Sequence, residues 1–105
     1  MRRGEVRWYA FARPNKKRPV VILTRDSAIA VLGEVTVAPI TSMIREIPTE
    51  VVLDESNGMA GPCAVNLDHV QTVPQVRLGR IITTLDPPTM REVSRALAFA
   101  LDLRR

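Results

Sequence analysis

The run Pro19-Val20-Val21-Ile22-Leu23 restricts what this chain can fold into more than any other stretch. It is short, apolar and rich in β-branched residues, so it reads as a buried strand and not as a helix. Pro19 holds the residue before it in extended backbone, which sets Arg18 at the strand's entrance. Lys16 and Lys17 precede Arg18, so three cations lead into one buried strand. A guanidinium fixed at such a mouth is well placed to meet an anionic ligand.

The flanking segments supply partners for that strand. Glu5 to Phe11 holds three of the four aromatic residues, Trp8, Tyr9 and Phe11, and predicts a first strand paired to it as a hairpin. Most of that ring surface belongs to the core, with one ring left to stack on a base. Ala12 to Lys17 is the basic loop between them. Arg25 to Leu32 predicts one helical turn, with Asp26 or Ser27 as N-cap. Glu34 to Ile40 alternates as a strand does, with Pro39 expected at an edge or bulge and Thr41-Ser42 at the exit. Further strands are expected over Thr49–Leu53, Cys63–Leu67 (continuing through Val70–Val73) and Gly79–Leu85. Asp54 to Pro62 is a turn-rich loop.

The clearest helix is the last segment. Asp86 is its natural N-cap and Pro87 takes the first helical position, where a missing N–H does no harm. Met90, Val93, Leu97, Ala100 and Leu101 then form one apolar face. Six or seven short strands with one terminal helix predict an α+β, mostly β fold: a small, partly open barrel with a helix packed on it.

With 105 residues the chain fits a single domain, 1–105, that buries roughly 65% of its unfolded surface. An apolar fraction of 46% excludes disorder. The net charge of +4 is unevenly spread: residues 1–25 carry eight Lys/Arg against one acid, and residues 26–68 carry seven acids against Arg45 alone. A basic side built from the N-terminal quarter would suit an anionic partner. Cys63 and His69 are each the only residue of their kind, so no disulfide and no structural zinc site is expected. No signal sequence and no membrane-spanning run is visible, which predicts a cytoplasmic protein that does not contact membrane. None of the common nucleotide, zinc-protease or serine-hydrolase motifs is present. Three points remain at strand ends: Arg18, Thr41-Ser42 and Asp68-His69.

The order of these pieces carries a resemblance. Arg3-Gly4-Glu5-Val6, Lys17-Arg18-Pro19-Val20-Val21-Ile22-Leu23 and Val37-Ala38-Pro39-Ile40-Thr41-Ser42 come first. Ile47-Pro48-Thr49-Glu50-Val51, Ala64-Val65-Asn66-Leu67-Asp68, Gln71-Thr72-Val73 and Arg77-Leu78-Gly79-Arg80-Ile81 follow. In that order they resemble the MazF/PemK family of toxin ribonucleases over nearly the whole chain. The resemblance implies a homodimer of SH3-like barrels of the CcdB/PemK type. It also implies sequence-specific cleavage of single-stranded RNA (mRNA, tRNA or rRNA), with no metal and no other cofactor, to 2′,3′-cyclic phosphate and 5′-hydroxyl ends. A cognate MazE-like antitoxin would block the RNA groove.

By the same resemblance Arg18 and Thr41 match the catalytic arginine and threonine, and Asp68 matches a carboxylate that moves a proton in one branch. Ser42 accompanies them, and Arg13, Lys16 and Lys17 are expected RNA contacts from the basic loop. The family more often has glutamine where this chain has His69, so RNA contact is expected of His69 rather than catalysis. The competing use for Arg18 is an ion pair with Glu50 or Asp68. The competing functions are a gyrase-poisoning toxin of the same fold and a non-catalytic RNA-binding SH3-like module. Fold alone does not separate them.

Overall fold

The computed structural model describes residues 1–11 and 16–103. Seven strands are found: β1 (Glu5–Ala10), β2 (Lys17–Ile22), β3 (Glu34–Thr41), β4 (Glu50–Leu53), β5 (Cys63–Asn66), β6 (Gln71–Pro74) and β7 (Leu78–Thr84). Two helices, α1 (Asp26–Ile29) and α2 (Pro87–Ala100), complete the fold. Every strand pairing is antiparallel, in the order β4-β5-β3-β2-β1-β7, with β6 also on β3. The sheet curls without closing, so the expected partly open, mostly β barrel with a terminal helix is what forms.

β2 lies near the middle and is buried on both faces. On one face Val21 joins Val6, Ala38, Ile40, Val51, Leu53 and Val65 beneath Val93 and Ala96 of α2. On the other, Val20 and Ile22 pack with Tyr9, Val35, Val37, Val73 and Ile29 of α1. An unbroken apolar run is what a strand with two cores requires. Burying each such side chain contributes ~1.5–3 kcal/mol. β2 also starts two residues earlier than its apolar run, because Ala10 pairs with Lys17 and Tyr9 with Arg18. Lys17 is therefore a strand residue and not a loop residue. The rings divide as the pleat demands: Tyr9 is buried and Trp8, on the other face, half-buried, while Phe11, just past β1, packs edge-on against Tyr9 at 4.9 Å.

Pro39 is not at an edge. Its strand is interior, but β6 pairs with β3 only up to Val37 and β5 takes over at Ile40. Leu23 donates its N–H to Thr36 O at 2.9 Å, and alternation from that pair turns the Pro39 nitrogen away from β2, toward this break. A ring nitrogen without hydrogen leaves no ladder bond unmade there. The break itself is a 3₁₀ turn over Leu67–His69, which interrupts the expected continuation of β5 into β6. Asn66 Oδ1 caps that turn by accepting the Asp68 N–H at 2.9 Å.

The N-cap of α1 is Arg25, without a side-chain bond, rather than Asp26 or Ser27. Asp26 Oδ1 instead accepts the Arg3 N–H at 2.7 Å, tying the N-terminus to this turn. At α2 the expected cap is found: Asp86 Oδ1 accepts the Thr89 N–H at 3.0 Å ahead of two prolines. Bonds from the Thr89 side chain and backbone hold the Asp86 carboxyl below its ordinary value of 3.8. The Asp54–Pro62 loop contains a 3₁₀ turn over Glu55–Asn57, closed by a capping box between Asp54 and Asn57. Gly58 leaves that turn at φ 91°, and a Cβ there would run into the Thr83 side chain. Among the described residues no helix is long and apolar enough to cross a membrane.

Candidate active site

In β2, Arg18 and Val20 point to the face opposite Lys17 and Val21, as the pleat requires. Val20 stands opposite Pro39 in β3. Carrying that register two residues further along both strands sets Arg18 opposite Thr41, on the same face. There a hollow of about 480 Å³ opens, with Phe11, Arg18, Pro39 and Thr41 on one side. Met43, Arg45, Asn66, His69 and Gln71 complete its lining. The Arg18–Thr41 pairing proposed from chain order is thus a matter of strand register.

Arg18 is exposed, and its guanidinium has no hydrogen bond or ion pair among the described residues. The carboxylates that compete for it are engaged elsewhere. Glu50 Oε1 accepts the Arg45 N–H at 2.9 Å, with the Arg45 guanidinium 3.8 Å from Oε2. Asp68 Oδ2 accepts from Thr49 Oγ1 at 2.6 Å. Thr41 Oγ1 accepts the Met43 N–H at 3.1 Å, which leaves its own hydroxyl hydrogen free to donate.

The other sequence-based candidates separate. His69 lines the hollow with Arg18 and Thr41, whereas Asp68 is exposed and lies outside its lining. Ser42 lines an adjoining hollow that shares Thr41. Lys17 lines a third, of about 640 Å³, with Trp8, Tyr9, Arg77 and Arg80, where the Arg77 guanidinium stands 5.7 Å from the centre of the Tyr9 ring. Lys16 is exposed at the start of the hairpin's return. Arg13 falls outside the described residues.

Two features went unread in the sequence. Arg45, the lone base of an acidic stretch, brings a second guanidinium to the hollow. Its anchor, Glu50, has a side chain wholly shielded from solvent, and Oε2 has no hydrogen-bond partner among the described residues. Glu46, next to Arg45, takes a left-handed backbone (φ 55°), which turns the loop back onto β4. The second feature is Asn66, paired with Glu50 across β4 and β5 and hydrogen-bonded to His69 at 3.1 Å. Glu50 and Asn66 are buried polar residues in short strands, and only the pairing of those strands reveals them. Cys63 is buried, and desolvation, with the Asp54 charge second, pushes its thiol up and away from nucleophilic use. Among the described residues no three His, Cys, Asp or Glu side chains stand together as metal ligands.

Fold and site define a small antiparallel barrel with a terminal helix and an anion-receptive hollow built on two central strands. Residues 2–101 match the sequence profile of the PemK-like, MazF-like toxins of type II toxin–antitoxin systems, and the chain belongs to that family. It is 42% identical over 92 residues to "Endoribonuclease MazF3" of Mycobacterium tuberculosis, covering 88% of this chain and 89% of that one. It is 41% identical over 104 residues to "Probable endoribonuclease MazF5" of the same species, covering 98% and 94%. Among solved structures, the M. tuberculosis toxin MazF-mt6 superposes with a TM-score of 0.87 at 38% identity, covering 96% of this chain and 99% of the other. A mycobacterial endoribonuclease in complex with its cognate antitoxin gives 0.90 at 28%, covering 100% and 98%.

Proposed function

We propose that this family member is an endoribonuclease toxin that cuts single-stranded RNA by internal transesterification at the Arg18–Thr41 hollow. The observation that carries this reading is a guanidinium free of partners among the described residues, set by register opposite a hydroxyl whose hydrogen is free to donate. The names of its relatives point the same way.

In the reaction the ribose 2′-oxygen attacks its own phosphorus in line. The P–O5′ bond breaks and O5′ takes a proton from solvent, leaving a 2′,3′-cyclic phosphate on one fragment and a 5′-hydroxyl on the other. Negative charge grows on the non-bridging oxygens. Arg18 answers that charge, because its planar fork holds two phosphate oxygens at once. Its proton is held too tightly for a base, so its role is transition-state stabilisation. Thr41 donates to the same phosphate. Each such preorganised donor is worth ~3–4 kcal/mol.

Asp68 is the proposed acceptor of the 2′-hydroxyl proton. Thr49 occupies only Oδ2, and Oδ1 has no partner among the described residues. Arg13, Lys16, Lys17, Ser42 and His69 are the proposed RNA contacts around the scissile step. The donor set favours a metal-free reaction. A homodimer restrained by a cognate antitoxin is the proposed assembly. The exposed Phe99, Leu101 and Leu103 at the end of α2 give such partners apolar surface to cover.

The test incubates purified protein with long single-stranded RNA in EDTA and maps new 5′-hydroxyl ends by sequencing. Ends at a recurring short sequence are expected; none under any salt condition defeats the reading. The same assay with Asp68→Asn across pH judges the proposed base, which is wrong if most of the rate survives.

A further inference from the structure

We propose that His69 serves the site as a neutral, fixed hydrogen-bond donor to an RNA phosphate oxygen, and that Asn66 is the positioning residue that locks it in that form. This rests on the ribonuclease reading for its ligand, though not for the lock itself.

The backbone N–H of Asp68 is an obligate donor, and it meets the Asn66 side chain at 2.9 Å. The atom facing it must therefore be Oδ1, which leaves Nδ2 facing His69 Nδ1 at 3.1 Å. An amide nitrogen only donates, so His69 Nδ1 accepts, and the single proton of the neutral ring sits on Nε2. One amide thus caps the turn that carries His69 and chooses the tautomer of its ring. Asn66 is only 5% exposed, as the last residue of β5 and opposite Glu50 of β4, so burial restrains it from turning over.

An imidazolium would set an Nδ1–H against the amide N–H, so this contact fits the neutral ring alone. The charged groups around it do not reverse that. Arg18 of β2 and Arg45 of the β3–β4 loop line the same hollow as cations. Glu50 of β4 is engaged by Arg45, and Asp68 in the same turn is engaged by Thr49. His69 is exposed, and Nε2 has no partner among the described residues. With its lone pair committed to Asn66, the ring has a proton to share and no site to take one. That makes it a donor and not a general base.

His69 is the only histidine, so long-range 15N–1H correlation of the imidazole in the intact protein reads the tautomer directly. A pyrrole-type Nε2 and a pyridine-type Nδ1 are expected for the neutral ring; the reverse pattern overturns the lock. Asn66→Asp, which replaces the donor by an acceptor, is expected to move the proton to Nδ1, and an unchanged spectrum in the folded variant removes Asn66 from the assignment. Should that variant not fold, the wild-type spectrum alone decides.

In the cleavage assay, His69→Gln restores an amide donor and should keep kcat/KM within about threefold of wild type. His69→Ala should lose about tenfold. Equal losses in both variants, with a wild-type rate that follows the imidazole titration, would make His69 a proton shuttle and overturn the proposal. If the wild-type protein cuts no RNA, the ribonuclease reading fails while the spectrum still judges the lock.

Discussion

Two hollows on this barrel are lined by positive side chains, and the groups that accompany those charges differ. The hollow on β1 and β7 holds Lys17, Arg77 and Arg80 beside Trp8 and Tyr9. It is the larger and has more positive side chains, yet no serine or threonine hydroxyl, imidazole or carboxylate lines it. The hollow on β2 and β3 has two guanidinium groups, and a hydroxyl and an imidazole hydrogen-bonded to Asn66 stand among them. The difference arises within one strand: consecutive residues Lys17 and Arg18 point to opposite faces. Positive charge suits an anion in both places, whereas bond breaking on the proposed reading needs donors aimed at one phosphorus.

The largest effect should come from removing the guanidinium that defines the second hollow. Arg18→Ala is expected to lower kcat/KM for RNA cleavage by roughly 10²–10³-fold, as loss of a preorganised anion donor does. Thermal stability should stay near wild type, because the side chain is exposed and unpaired among the described residues. A loss under tenfold in single-turnover cleavage would erase the distinction between the hollows.

A smaller effect is expected at the other hollow. Lys17→Ala with Arg77→Ala should weaken RNA binding with little change in the cleavage step at saturating RNA. The slope of log K against log salt should become shallower by about 1.4, if both residues neutralise phosphates of a single strand. An unchanged slope in a filter-binding series would mean that RNA does not pass over this face.

The smallest effect concerns α2, which covers the core on the Val21 face of β2. Asp86→Ala should lower Tm by roughly 5 °C near neutral pH, through loss of the Thr89 cap. The folded Asp86 carboxyl titrates below its ordinary value of 3.8, so its contribution is present above that value. It is lost as pH falls through the folded value. The gap between wild type and variant should therefore close in acid, and a gap constant from pH 7 to pH 2 would point to a cause other than the ionised cap.

How much of this was legible follows from what each feature depends on. β2, the Asp86-Pro87 start of α2 and the partly open barrel were legible because local sequence dictates them: a β-branched run, a cap and a count of strands. Arg18 and Thr41 were legible as a pair through chain order, and strand register then supplied the reason. The Arg45–Glu50 anchor and the Asn66–His69 contact were not, since one depends on the left-handed turn at Glu46 and the other on the 3₁₀ turn that follows β5. Lys17 was misread as a loop residue because the pairing of Ala10 reaches past the apolar run. The cap of α1 was misread because Asp26 serves a backbone N–H from the far N-terminus, which no local rule anticipates.

Pro39 has a consequence for how such a chain can vary. Its nitrogen faces the break between β5 and β6, so a one-residue slip of β3 would bring that nitrogen up against a partner strand's carbonyl with no hydrogen to offer. The same slip would send Thr41 to the face opposite Arg18. Length is thus free to change in the α1 connection between β2 and β3, which is largely solvent-exposed, while the count from Pro39 to Thr41 is not. In a variant library, insertions at residues 30–33 should be tolerated and a single insertion at residue 40 should abolish activity.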